Sequence, residues 1–140
     1  MITERSAPVR QYPVIREYMT SAPHTIGRKQ SLAAAAEAMH RHQVRHLPVL
    51  DGNHVVGVLS ERDLLLVESL PGVKAAVVMV EDAMVEDPYM VTPDTPVGEV
   101  IETMIQRKLG SVLVGEEQRV VGVFTHIDAL RALHEQLERP

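Results

Sequence analysis

The chain has 140 residues, 45 % of them hydrophobic, with no cysteine, no tryptophan and a formal net charge of −5 at pH 7. This length and apolar share suit one packed domain with an aliphatic, methionine-containing core; zero cysteine excludes disulfides, thiolate catalysis and cysteine-based zinc sites. Net acidity with scattered basic residues excludes the basic footprint of a general nucleic-acid binder, and no run approaches the ~18 uninterrupted apolar residues of a membrane span.

Residues 1–13, with Glu4, Pro8 and Pro13, lack the apolar run of a signal peptide and read as an arm that a partner surface would order, so a cytoplasmic protein is expected. Residues 14–19 suit a short helix closed before Pro23, since the residue before proline is pushed out of the helical region. A brief extended piece is expected near 24–26. The clearest helix of the first half follows: Leu32, Ala35, Ala36 and Met39 stand at i, i+3, i+4 and i+7, one buried face. Two short strands, 47–50 and 55–59, flank the turn Asp51-Gly52-Asn53. A second helix opens at Ser60 and stops at Pro71-Gly72. The apolar stretch 73–80 fits a connecting helix or a strand, and the sequence leaves both open.

The same order then recurs: a short helix near 80–84, an extended piece near 89–92, a helix with Val97, Val100, Ile101 and Met104 on one face, strands at 111–114 and 119–124, and a last helix from Thr125 toward Leu137. Ser31 and Thr95 are the expected helix caps, with Pro96 in a first helical turn. The recurrence is literal in places. Val55-Val56-Gly57-Val58 returns as Val120-Val121-Gly122-Val123, and a shift of 65 residues aligns Met19 with Met84, Pro23 with Pro88 and Met39 with Met104. A repeated unit too small to bury its own apolar face buries it on its copy. The expected organisation is an arm at 1–13, a first repeat at 14–70, a linker at 71–79 and a second repeat at 80–140, and a cleft between the copies is the first place to look for function.

Each copy carries a hydroxyl-x-x-Asp at the start of its last helix, Ser60 to Asp63 and Thr125 to Asp128. Such a pair can simply tie off free backbone N–H groups. It can equally serve a ligand, because a helix start offers N–H donors and partial positive charge to phosphate, and an inward carboxylate can accept both hydroxyls of a ribose. Val44-Arg45-His46-Leu47-Pro48 places a basic pair at the first strand entrance, where the second copy has the small, neutral Leu109-Gly110-Ser111. If the halves pack about a pseudo-twofold axis, the entrance of one copy is expected to face the hydroxyl-x-x-Asp of the other, giving two unequal clefts.

These motifs resemble those of a tandem pair of cystathionine β-synthase (CBS) domains, regulatory modules that bind adenosine-containing ligands. Arg45-His46-Leu47-Pro48-Val49, Gly57-Val58-Leu59-Ser60-Glu61-Arg62-Asp63 and Gly122-Val123-Phe124-Thr125-His126-Ile127-Asp128 carry the resemblance, which spans nearly everything from Val14 to Leu133. It implies an α/β (α+β) fold of two β-α-β-β-α repeats packed through their sheets about a pseudo-twofold axis. It also implies that Asp63 and Asp128 hold ribose hydroxyls, with Ser60 and Thr125 near the sugar or phosphate. The main cleft is expected to comprise Val44, Arg45, His46 and Pro48 with Thr125, His126, Asp128 and Arg131. The second is expected to comprise Ser60, Arg62 and Asp63 with Leu109, Gly110 and Ser111.

The function expected from this is a non-enzymatic module that binds AMP, ADP or ATP between the repeats and transmits ligand state to a partner. A homodimer burying the helix faces is expected, with an enzyme or transporter as the regulated partner. The rival is a ligand-free structural adapter for such a protein. An enzyme is not expected, because no nucleophile, metal cage or general base can be assigned. His40, His42 and His46 resemble a metal site only by count, since 40 and 42 point to different sides of a helix, and they suit a solvated helix end.

Overall fold

The computed structural model describes residues 12–139. Of the arm expected at 1–13, only Tyr12 and Pro13 fall inside that span. The first half runs through a 3-10 turn Ile15–Glu17, β1 Thr20–Ser21, β2 Ile26–Gly27, α1 Leu32–His42, β3 His46–Asp51, β4 His54–Ser60 and α2 Glu61–Glu68. The second repeats it with a 3-10 turn Val80–Asp82, β5 Val85–Glu86, β6 Met90–Val91, α3 Val97–Arg107, β7 Ser111–Glu116, β8 Arg119–Thr125 and α4 His126–Leu137.

Helix α1 starts where Ser31 accepts a hydrogen bond from the Ala34 N–H, and it buries Leu32, Ala35 and Met39. Helix α3 starts differently. Pro96, not Thr95, holds the cap position with extended backbone, and the Thr95 hydroxyl pairs with Thr92 instead. Proline there leaves no side-chain acceptor, so α3 depends on the buried Val97, Val100 and Met104. The segment 73–79 is neither helix nor strand. It turns back over the start of α1, where the Ala75 and Val78 carbonyls accept from the Ala33 and Leu32 N–H groups. Those are donors a helix start leaves free.

The hairpins β3–β4 and β7–β8 form the centres of two sheets, ordered β2-β3-β4-β5 and β6-β7-β8-β1. Their outer strands are exchanged. β1 of the first half pairs with β8 (Thr20 opposite Val123), and β5 of the second half pairs with β4 (Val85 opposite Val58). Packing follows the exchange: Ile15 and Tyr18 lie in the core of the second half, whereas Val80 lies in the core of the first. The bounds 14–70 and 80–140 describe the sequence repeat; the packed units cross them.

Along β3 and β4, Leu47, Val49 and Leu59 face the helices, and along β7 and β8 Val112, Val114 and Phe124 do the same. Strand alternation turns Pro48, Leu113 and Val123 to the opposite faces. They are nonetheless buried, and β4 touches β8, so the sheets cover each other. The architecture is therefore α+β, two repeats packed sheet on sheet. No described helix is long and apolar enough to cross a membrane.

Candidate functional site

The last rung of each central hairpin places strand entrance and helix start side by side. His46 pairs with Ser60, and Ser111 pairs with Thr125. At α2, Ser60 is extended and its hydroxyl oxygen accepts from the Asp63 N–H at 3.0 Å while the hydroxyl donates to Asp63 Oδ2 at 2.8 Å. The Glu61 N–H donates to the Arg45 carbonyl at 2.8 Å. Among the described residues, Asp63 Oδ1 has no hydrogen-bond partner.

At α4 the carboxylate is more fully engaged. Asp128 Oδ2 accepts from the Thr125 N–H at 2.9 Å and from its hydroxyl at 3.3 Å, and Oδ1 accepts from Arg131 at 2.9 Å. Asp128 is only 2 % exposed, the one buried charged residue among the described residues. Burial of a carboxylate is tolerated here because every bond it makes is charge-assisted.

Between the two helix starts lies the seam of the halves. A Cβ placed on Gly110 would stand 3.4 Å from His46 Nε2 and 3.8 Å from His126 Cε1, ordinary contact distances, so both imidazoles lie beside this residue. His126 Nε2 lies 3.1 Å from the Leu109 carbonyl, which can only accept, so this nitrogen carries the proton. Burial pushes the His46 imidazole below its ordinary pKa of 6.5, and His126 pushes the same way, while Asp63 acts in the opposite sense. Burial thus disfavours the charged form of the His46 imidazole.

The structure thus brings together His46, His126, Leu109 and Gly110, with Ser60 and Asp63 on one side and Ser111, Thr125 and Asp128 on the other. At the seam the first entrance meets the opposite copy's helix start through His46, which lies near His126, the first residue of α4. Entrance and helix start of one copy are rungs of one hairpin, so each entrance also lies beside its own, and the two entrances meet each other. Arg45 is not in that group. It is exposed, reaches Glu61 at 4.0 Å, and with Val44 lines a groove of about 420 Å³ between α1 and α2. Arg62 is exposed, Arg131 is committed to Asp128, and Pro48 is buried between the sheets.

Sequence reasoning missed the neighbours that the strand exchange supplies. Thr20 and Ser21 run beside β8 as it leads into α4, and Val85 and Glu86 beside β4 as it leads into α2. The signal was present in the paired identities Met19/Met84 and Gly57/Gly122, because each methionine packs on the glycine of the other half. His42 stacks on His24 with ring centroids 3.5 Å apart. Among the described residues, no three His, Cys, Asp or Glu side chains converge as metal ligands.

Comparison with known proteins matches the family model "CBS domain" at residues 15–69 and 80–135. Hypoxic response protein 1 of Mycobacterium tuberculosis is 26 % identical over 121 residues, covering 86 % of this chain and 85 % of that one. The CBS domain pair of protein MJ0100, crystallised with 5′-methylthioadenosine and S-adenosyl-L-methionine, superposes with a TM-score of 0.82 at 23 % identity, over 90 % of this chain and 99 % of the other. CBSX2 in complex with AMP superposes with a TM-score of 0.76 at 24 % identity, over 92 % and 100 %.

Proposed function

Because the chain belongs to the CBS domain family, we propose that it is a non-enzymatic regulatory module that holds an adenine nucleotide, AMP, ADP or ATP, at the seam of its two repeats and reports the ligand to a partner. The observation that carries this reading is the meeting of His46 and His126 across Gly110, flanked by two helix starts that each bear a hydroxyl and a carboxylate. Helix N–H donors and two imidazoles suit phosphate, and the carboxylates suit ribose. The complexes of MJ0100 and CBSX2 support an adenosyl ligand as the class to test.

One pole of the site comprises His46, Ser60 and Asp63, with Arg45 and Arg62 exposed outside it, the other Leu109, Gly110, Ser111, Thr125, His126 and Asp128, with Arg131 bound to Asp128. We rank the Asp63 pole first, which reverses the order expected from the sequence. A ribose at Asp128 has to displace Arg131 or share its oxygen, whereas Asp63 keeps Oδ1 free among the described residues. A ligand acts here by binding one arrangement of the halves more tightly than another.

Calorimetric titration with AMP, ADP, ATP and S-adenosylmethionine tests this. Binding by the native chain, weakened at least tenfold in Asp63→Ala, supports the reading. No heat and no thermal shift with any of the four refutes it and leaves the adapter. The adapter has its own support: Leu65 and Leu66 on α2 and Ile127, Leu130 and Leu137 on α4 are all more than half exposed. Such faces suit a homodimer or a regulated enzyme or transporter.

A further inference from the structure

The two halves tie down their leading segments with the same bonds, displaced by 65 residues. Ile15 donates to the Thr95 carbonyl as Val80 does to Gln30, Arg16 to Pro93 as Glu81 does to Arg28, and Val97 to Pro13 as Leu32 does to Val78. In the first half the series continues. Ala33 donates to the Ala75 carbonyl at 3.0 Å, and Ala75 and Val78 pack onto the core under α1. The stretch 71–79 is thus a strap across the groove between the start of α1 and α2.

The corresponding groove of the second half, between the start of α3 and α4, is an apolar cavity of about 520 Å³. Val97, Gly98, Ile101, Ala132 and Leu133 line it, together with Tyr12 and Pro13, the first described residues. Leu133 is 53 % exposed. By the same displacement the counterpart of Ala75 is Arg10, and that of the donor Ala33 is Gly98. Residues 7–11, Ala-Pro-Val-Arg-Gln, correspond to 72–76 of the strap. Apolar Pro8 and Val9 suit the groove, and Gly98 in place of Ala33 gives backbone a closer approach.

We propose that this groove is the seat of the chain's own segment 7–11, held by a bond from the Gly98 N–H to the Arg10 carbonyl. The segment is continuous with Ile15 and β1, which lie on the second half, so seating it fixes the strand that borders the start of α4. What grips the first eleven residues thereby grips the edge strand paired with β8, the strand that leads into α4.

The chain has no cysteine, so Arg10→Cys carries a single nitroxide label without interference. With label and isotope on one chain, the methyl signals of Ile101 and Leu133 should lose more than half their intensity, while mixing labelled chains with separately isotope-enriched ones should leave them unchanged. No loss in the first sample, or loss in the mixture, overturns the proposal. In unlabelled protein the Gly98 amide should exchange with solvent at least tenfold more slowly in the full chain than in a chain lacking residues 1–11, and equal rates also overturn it.

Discussion

Met84 packs against Gly57 so closely that a Cβ on the glycine would stand 2.6 Å from its sulfur, and Met19 packs against Gly122 in the same way. Each methionine belongs to one half and each glycine to the other. The two contacts are not equally rigid. A Cβ at Gly57 also meets the Val85 carbonyl at 2.7 Å, whereas at Gly122 the atoms met are those of the flexible Met19 side chain. Gly57→Ala is therefore expected to cost about 2–3 kcal/mol and Gly122→Ala about 1 kcal/mol, read from urea unfolding; equal losses would contradict the difference in rigidity between the two contacts.

Val80 is fully buried in the core of the half that precedes it. Val80→Ala should cost about 2 kcal/mol. It should also speed amide exchange in β3 and β4 more than in β7 and β8, with Ile15→Ala doing the reverse. Exchange rates that rise only within the mutated residue's own sequence repeat would show that the strands are not exchanged.

Asp128 ties Thr125 and Arg131 to the start of α4 from a buried position. Replacing it with alanine leaves the Thr125 N–H without its acceptor, so a loss of about 2 kcal/mol is expected. Asp63→Ala loses a single hydroxyl contact and should cost about 1 kcal/mol or less. Chemical denaturation of both variants gives the comparison, and a larger loss for Asp63→Ala would refute it.

His46 is held below its ordinary value of 6.5 by burial first and His126 second. Between its folded pKa and 6.5 the unfolded chain binds the proton more readily, so stability rises with pH through that window and is fully present above 6.5. Acidification below pH 6.5 should lower Tm, and His46→Asn should flatten the decline. Parallel curves for the two proteins would exclude His46 as its source.

A seam ligand binds the folded chain and not the unfolded one. At a hundredfold excess of AMP, ADP or ATP over Kd it should stabilise the fold by about 2.7 kcal/mol, seen as a shift in Tm. If the imidazoles serve the phosphates as proposed, His46→Asn together with His126→Asn should reduce that shift for ATP more than for adenosine.

The helices and hairpins were legible because burial on one face leaves a period: every three to four residues in α1 and α3, every second in β3 and β7. The exchanged strands were not. Thr20–Ser21 and Val85–Glu86 are two residues each and exposed, too short to show alternation, and their partners are fixed by long-range packing of Ile15 and Val80. The apolar run 73–79 looked like an element because Ala75 and Val78 are covered, yet it serves to cap α1. For the site, the hydroxyl-x-x-Asp pairs and the strand entrances stood out as residues, but their facing depended on hairpin register. His46 opposite Ser60 places Arg45 beside Glu61, on the outside.

The exchange of β1 and β5 also bears on whether either half can stand alone. A single copy of this unit, severed from its twin, would present an unfilled sheet edge and trail a strand shaped for just such an edge. Two separate single-unit chains would satisfy each other, and one alone would not. Cutting the chain between its repeats should therefore give two pieces that fold best together, each closing the sheet the other leaves open.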